Sequence, residues 1–505
     1  MTYRRSICDI LPDLIHDIVP YLNPEYCDTK EDTICARYVL LRCALTCRDF
    51  TTPALNVLWR SLPSDKPLVN LLSTLGVVQS LIAERGDLNG VAEYCSQDDP
   101  RTHPQWEHFK GRASQVHAIT LDPFSTRPSV WTKLVPLLRG EPVLPALRRV
   151  VLGHQSTGLT FQYMEAELHY GHHVHGCGVL QLITPSVRHL SLLVRAMRRR
   201  SATLPVREVL REACTLAPDL ESLYISSFIG VSLEALQNHR RLRTVDIEYN
   251  DVPDYGLEPL CELPHLESLS LVVNTASTVP LTMNYVRVLV LRGFLIDTEA
   301  FLDRVRLPQL RSLCIAAAEE HPAHLIQHSA NTFRVLSNKY AHLTELRVEW
   351  RKSTAVQDRG PVPTLAGALC AVIEPLHELH ELRDATLHFH GFCFAYSSSD
   401  IQSLAESWPS LETFHLEFVT LEQRRAGFES LLHFARNCPH LRALRLPTME
   451  LTKDAFDEIA YPKKPHPLRE LNVARVTFPE GNDLSWEMIQ LAQKVFPHAG
   501  SPVSV

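Results

Sequence analysis

The sequence predicts an α/β chain: a small three-helix module at the N-terminus, then an irregular solenoid with a curved parallel sheet inside and helices outside. Three observations predict it. A short apolar pattern recurs along most of the chain. Stretches with helical periodicity fill the gaps between its copies. And the first 64 residues hold three closely spaced apolar segments, the last of them ALTCRDFTTPALNVLWRSL at 44–62.

The recurring pattern is an apolar residue, two variable ones, an apolar residue, one variable and an apolar residue, often preceded by proline. Clear copies are LPALRRVVL (144–152), APDLESLYI (217–225), LPHLESLSL (263–271), LPQLRSLCI (307–315), YAHLTELRV (340–348), WPSLETFHL (408–416), CPHLRALRL (438–446) and HPLRELNV (466–473). Weaker ones are QVHAITL (115–121), SVRHLSL (186–192), RLRTVDI (241–247), YVRVLVL (285–291) and ELRDATL (381–387). Their spacing runs from 20 residues, Leu266 to Val286, to 40, Leu147 to Val187. The last two apolar positions of each copy alternate with polar ones, which is the period of a half-buried strand. Residues 364–382 carry Leu365, Leu369, Val372, Ile373 and Leu376 at helical spacing, and residues 423–438 carry Phe428, Leu431, Leu432 and Ala435. One strand and one helix cannot bury their own apolar faces, but stacked neighbours can. The segment LSWEMIQLAQKVF (484–496) reads as the amphipathic helix that covers the last layer.

In the N-terminal module, Leu11-Pro12 opens a first helix with Leu14, Ile15, Ile18 and Leu22 on one face. A second is predicted over about 35–50, with Val39, Leu40, Cys43, Cys47 and Phe50. A third, after Pro53, is predicted over 54–62. Apolar residues on more than one side of such short helices leave surface over for a partner.

Bulk composition narrows the classes. Hydrophobic residues make up 45% and charged residues 21%, the balance of a globular chain. The net charge of −7 argues against a nucleic-acid partner. The 13 cysteines form no C-x-x-C pair, so neither a zinc ribbon nor a dithiol redox centre is expected. The start, MTYRRSICDILPDL, turns polar too early for a secretory signal, and apolar runs such as 286–296 are too short to span a bilayer. The expectation is a reducing, cytoplasmic or nuclear location with free thiols.

The recurring copies resemble leucine-rich repeats of the irregular, helix-rich kind, over residues 115–478; the Asn that usually closes that consensus is largely missing, with Asn250 and Asn274 near its place. The module before them resembles the F-box: Leu11-Pro12, Ile18, Leu22, Leu45, Cys47, Phe50 and Leu58-Trp59-Arg60-Ser61-Leu62 match its pattern, while residues 23–33 are longer and more acidic than usual. Together these resemblances imply a domain order of F-box (7–64), helical linker (65–112), leucine-rich-repeat solenoid (113–480) and capping helix with tail (481–505). They imply a substrate-recognition subunit of an SCF-type, cullin–RING ubiquitin ligase, which performs no chemistry itself. The F-box would hold a Skp-type adaptor, and through it the cullin–RING ligase, by Leu11, Pro12, Ile15, Ile18, Leu22, Leu45, Cys47 and Trp59. The repeats would hold an unidentified substrate protein. No cofactor, no metal and no membrane partner are implied. The alternative is a leucine-rich-repeat scaffold with no ligase role.

Strand alternation places Tyr224, Asp246, Glu248, Arg347, Glu349, His388, His390, His415 and Glu417 on the open face of the sheet, where a substrate could bind. The insertions at 153–184 and 350–363 are alternative contact loops. Rival signals are weaker. ELHYGHHVHGC (167–177) holds ligand types that zinc favours, but in no standard zinc spacing. RAMRRR (195–200) reads as an import or phosphate patch, or as a solvated helix edge. No GxSxG, P-loop, GxGxxG or HExxH occurs, and Cys43 and Cys47 sit in apolar surroundings that do not activate a thiol, so the chain is not expected to be an enzyme.

Overall fold

A computed structural model describes residues 18–24, 30–46, 48–81, 93–95, 99–123, 130–153, 175–194, 203–227, 232–248, 256–273, 279–319, 322–352, 367–420, 425–427, 429–451, 466–478 and 485–499. The chain divides into two compact units, residues 1–242 and 243–505.

The first unit begins with a 3₁₀ turn, Val19–Leu22, followed by helix α1, Lys30–Thr46, and helix α2, Arg48–Arg60. Both helices differ from expectation. α1 starts five residues before the predicted 35, taking in part of the segment expected to link two helices. α2 begins before Pro53 and carries it inside. The expected third helix also stops short, because Ser61–Leu62 is strand β1. Further elements of this unit include α3 (Lys66–Thr74), α4 (Trp106–Ala113), β2 (Ala118–Leu121), α5 (Trp131–Leu137), β3 (Arg149–Gly153), β4 (His189–Val194), α6 (Thr203–Leu216) and β5 (Ser222–Ser227). Strands β1 to β5 pair in chain order, all parallel. Their register aligns Ile119, Val150, Leu190 and Leu223 in one buried row and Leu121, Leu152, Leu192 and Ile225 in the next.

The second unit repeats the plan. Strands β6 (Thr244–Glu248), β7 (Ser268–Val273), β8 (Val288–Phe294), β9 (Ser312–Glu319), β10 (Glu345–Lys352), β11 (Asp384–Ala395), β12 (Thr413–Thr420), β13 (Ala443–Leu446) and β14 (Glu470–Val473) are again parallel neighbours in chain order. One row runs Val245, Leu269, Leu289, Leu313, Leu346, Ala385, Phe414, Leu444, Leu471, every member buried. Each predicted copy of the apolar pattern, in both units, ends on one of these strands. The architecture is therefore a parallel-sheet α/β fold of the leucine-rich-repeat type.

Helices α7 (Leu295–Arg304), α8 (Pro322–Lys339), α9 (Ser398–Ser407) and α10 (Ser430–Asn437) fill connections of the second unit. α9 is held by a capping box between Ser397 and Asp400. α11 (Ser485–Val495) matches the expected covering helix; Ala492, Val495 and Phe496 are buried, and Phe496 meets the ring of His466 edge-on at 5.2 Å. The predicted helix at 364–382 shrinks to Leu369–Ile373 and a 3₁₀ turn, Glu374–Glu378. Pro375 has no N–H to continue an α-helix, which accounts for the change. Trp350 corrects the expected contact loop: it lies within β10 and is fully buried. Likewise Gly153 closes β3, and His175–Leu182 is helical; residues 154–174 and 353–366 lie outside the described residues.

Arginines at equivalent repeat positions fasten one layer to the next. Arg148 Nη1 donates to Ser186 O at 3.3 Å, Arg188 Nη1 to Asp219 O at 2.9 Å and Arg311 Nη1 to His342 O at 2.9 Å. In each case the acceptor precedes the first apolar residue of the following copy.

Candidate functional sites: a helix face and a sheet face

In the N-terminal module, Val19, Leu40, Ala44 and Ala54 form a small core, with Leu22, Cys43, Phe50, Leu55, Val57 and Leu58 packed against it. Thr51 Oγ1 donates to Ala44 O at 2.8 Å, and Arg37 Nη2 to Ser61 O at 2.6 Å, which ties α1 to the start of the sheet. That core uses one face of α1. The opposite face carries Ile34, Tyr38, Leu41 and Leu45, all exposed, from 48% at Leu41 to 76% at Leu45. Their spacing of four, three and four residues lines them up as a single seam. Arg42 stacks over the Tyr38 ring at 4.9 Å beside it. Of the predicted adaptor residues, Ile18 and Leu45 are exposed, Trp59 is half-buried on α2, and Leu22 packs on the core. Leu11, Pro12, Ile15 and Cys47 lie outside the described residues. Ile34, Tyr38 and Leu41 were not singled out by the sequence, although their spacing was there to find.

The second site is the open face of the second unit's sheet. The register places Arg347, Thr386, His415 and Arg445 in one row, Glu349, His388 and Glu417 in the next, and Arg351 beside His390 in a third. Glu349 accepts from Arg347 Nε at 2.8 Å and from Arg351 Nη2 at 3.2 Å. Arg445 Nη2 lies 3.3 Å from Glu417 Oε2. His388 Nε2 makes no hydrogen bond, standing 3.9 Å from the same oxygen, and its ring meets His390 edge-on at 5.6 Å. A bulge in β11 shifts its register against β12 between His388 and Cys393, while its pairing with β10 continues to His390. Asp246 stands in the row of Arg347, four strands away, and pairs there with Arg292 of β8 at 3.2 Å, and Glu248 is half-buried at the end of β6. Tyr224 is half-buried on β5, in the first unit. Arg351 and Arg445 join the cluster without having been predicted.

Burial pushes the Glu349 carboxyl up, but the Arg347 hydrogen bond and the charges of Arg347, Arg351 and His388 outweigh it and hold it below the ordinary value. Burial pushes His388 down; Glu417 opposes this and His390 adds to it. Burial and then Arg445 push His415 down. The two rings are thus neutral near pH 7, each offering one donor and one acceptor.

The same physics predicts a pH response. His466 is 4% exposed; its Nδ1 accepts from Leu468 N–H at 3.3 Å, so its Nε2 donates to Cys438 O at 2.9 Å. That pattern needs the neutral ring, and burial lowers its pKa, as it does for His377, His388, His415 and His433. The unfolded chain takes up protons near pH 6.5, where the folded chain does not, so stability falls as pH drops from 7 toward 5. Each ring contributes at most about 1.4 kcal/mol per pH unit, and half-exposed rings less. Thermal unfolding between pH 7.5 and 5.5 should show the decline, and His466→Gln should flatten it.

Burial raises the thiols of Cys214 and Cys438 to about 12, and those of Cys261, Cys314, Cys370 and Cys393 also move up, away from the thiolate. Among the described residues no group of three or more His, Cys, Asp or Glu is placed to hold a metal ion, and no helix is long and apolar enough to cross a membrane. The His-rich segment lies outside the described residues up to 174, and the run 195–200 lies outside them entirely.

Comparison with known proteins gives likeness at the level of structure alone. No protein-family model matches the chain, and no curated protein matches it in sequence. An internalin from Listeria monocytogenes aligns over 87% of this chain and 94% of its own, with 12% identity and a TM-score of 0.35. A leucine-rich-repeat protein from Leptospira interrogans aligns over 78% of this chain and 91% of its own, with 12% identity and a TM-score of 0.32. The Drosophila Toll–Spätzle complex aligns over 74% of this chain and 47% of that chain, with 13% identity and a TM-score of 0.33.

Proposed function

We propose that this chain is a non-catalytic receptor that joins two proteins: the substrate-recognition subunit of an SCF-type, cullin–RING ubiquitin ligase. The N-terminal helices bind a Skp-type adaptor, and the open sheet face of the second unit binds the substrate protein. The observation that carries the reading is the exposed apolar seam Ile34, Tyr38, Leu41, Leu45 on a helix whose other face is already packed. Large apolar side chains aligned in this way mark a partner surface. The F-box-like residues around it, ending in Leu58-Trp59-Arg60-Ser61-Leu62, support a Skp-type adaptor as that partner. Such a subunit works in the cytoplasm or the nucleus.

The test is capture of a purified Skp-type adaptor by the full chain. The wild type is expected to bind, and Leu41→Asp with Leu45→Asp to weaken binding at least 100-fold with an unchanged circular-dichroism spectrum, since both side chains are solvent-facing. Failure of the wild type to bind favours a second reading, a leucine-rich-repeat scaffold without a ligase role. The four-three-four spacing supports that alternative too, because such a seam fits any amphipathic helix.

A further inference from the structure

We infer that the outer edge of β14 docks an extended strand of another protein, laid parallel to it and reading acidic-x-apolar-x-apolar. This surface is separate from the helix seam and from the open sheet face.

β14 stands at one end of the strand order, and among the described residues nothing pairs with its outer side. Such an edge is a template for a further strand. Earlier layers show what that strand needs, because two of them are entered from a helix by the same turn. After α9, Trp408 N–H donates to Leu404 O and Leu411 N–H to Trp408 O, both at 3.2 Å. After α10, Cys438 N–H donates to Phe434 O at 2.9 Å and Leu441 N–H to Cys438 O at 3.1 Å. α11 ends in that turn as well: Phe496 N–H donates to Ala492 O at 2.7 Å and Ala499 N–H to Phe496 O at 3.0 Å. Trp408, Cys438 and Phe496 are alike fully buried. α11 therefore opens one more layer, and the sequence after it does not carry the strand. Counted from Cys438, the apolar positions are Leu441, Leu444 and Leu446; counted from Phe496, they fall on Ala499, Pro502 and Ser504. Proline has no N–H to give to a ladder.

Charge selects the first residue of the missing strand. The residues just before each strand form a row along the entrance of the sheet. Its three glutamates, Glu221, Glu267 and Glu412, each pair with an arginine of an adjoining layer: Arg188 at 3.6 Å, Arg243 at 3.2 Å and Arg442 at 3.6 Å. The row ends on Arg469, which is exposed and has no carboxylate partner among the described residues. Glu412 is already held between Arg383 and Arg442, and Glu470 stands on the open face beside Ala443. The backbone is equally open. Arg442 O accepts from Arg469 N and Glu470 N at 2.8 and 3.1 Å, whereas Arg469 O, the next acceptor in line, takes no backbone N–H among the described residues. A cavity of about 470 Å³ lies between Pro467, Arg469 and His498, at the entrance of the missing layer. A glutamate of the docked strand fills it and meets Arg469 as Glu412 meets Arg442. A second copy of this chain is a poor donor. Its short edge strand β1 has two residues, Ser61 O already accepts from Arg37 Nη2, and its entrance residue is Arg60, a like charge.

The experiment is fluorescence anisotropy of the full-length chain with a labelled peptide, PHLESLSL from residues 264–271, between lysine pairs that keep it soluble. Controls replace its glutamate with Gln or Arg, or its central leucine with Pro. The parent peptide is expected to bind, the Gln peptide about fivefold more weakly, the upper range for a surface ion pair, and the Pro peptide not at all. Arg469→Glu should exchange the preference to the Arg peptide, an outcome that mere unfolding cannot produce. Ala499→Leu, Gly500→Glu, Pro502→Leu and Ser504→Leu together give the chain a strand of its own and should abolish peptide binding. No binding of the parent peptide, equal binding of the Pro peptide, or equal binding of the Glu and Gln peptides without the exchange at Arg469→Glu overturns the inference. So does binding that arises only once residues 500–505 are removed, which makes the chain's own tail the occupant.

Discussion

Replacing Trp350 with alanine is expected to cost the second unit about 3–5 kcal/mol, the usual range for emptying a fully buried aromatic site. Trp350 has no exposed surface. It stacks on Phe333 of α8 at 5.4 Å and meets Phe389 of β11 edge-on at 4.6 Å. From Phe389 the contacts continue to Phe394 at 5.1 Å, from there to Phe418 at 5.5 Å, and on to Tyr396 at 5.2 Å. The Tyr396 hydroxyl then donates to Thr448 O at 2.7 Å. Removing the indole leaves a void that rings on three elements must collapse to fill. Trp350→Phe should cost much less, because the indole N–H makes no hydrogen bond and its loss leaves no orphan behind. Denaturant unfolding of the full chain checks both. A loss under 1 kcal/mol for the alanine variant would contradict this account of the core.

The second large effect is expected at Gly293, near the end of β8. Its φ is +142°, and a Cβ built there falls 2.6 Å from Val273 O on the adjoining strand. Gly293→Ala therefore combines a backbone conformation that L-residues rarely adopt with a clash against main chain. We expect about 2–4 kcal/mol of destabilisation. Gly140 separates the two causes. Its φ is +89°, with nothing within 4 Å of the added carbon, so Gly140→Ala bears the conformational strain alone and should cost about 1 kcal/mol. If the two variants lose equal stability, the close approach to Val273 contributes nothing. Thermal melts of both, side by side, decide it.

The repeats were legible because burial enforces a period of two on every strand. LPHLESLSL and CPHLRALRL announce β7 and β13 without help from neighbours. Strand β1 was not legible: Ser61–Leu62 is two residues long, follows a helix directly, and owes its conformation to pairing with Ala118 and Ile119, more than fifty residues away. The sheet-face residues were half legible. Alternation puts Arg347, Glu349, His388 and Glu417 on the open side, but which of them meet depends on register across strands joined by connections of unequal length. Hence the grip of Arg445 on Glu417 could not be read in advance, whereas Arg351, two residues from Glu349 on β10, was missed because residues from 350 on were read as a loop. The seam on α1 was missed for a simpler reason: a helix started at 35 leaves Ile34 out, and the remaining three do not look like a row.

One backbone joint recurs at the entrance to the strands. His117 O accepts from Arg148 N and Arg149 N; Arg287 O accepts from Arg311 N and Ser312 N; Arg383 O accepts from Glu412 N and Thr413 N. The joint uses no side chain and takes no account of how many residues lie between its two halves. A gene encoding such a chain can therefore be cut and rejoined at any two equivalent joints of a unit, gaining or losing a whole layer in frame. Point changes must respect the rows of leucine, but duplication and deletion of layers need respect only this joint. The uneven spacing of 20 to 40 residues is what a lineage that lengthens and shortens its connections freely, while keeping the joint, would leave behind.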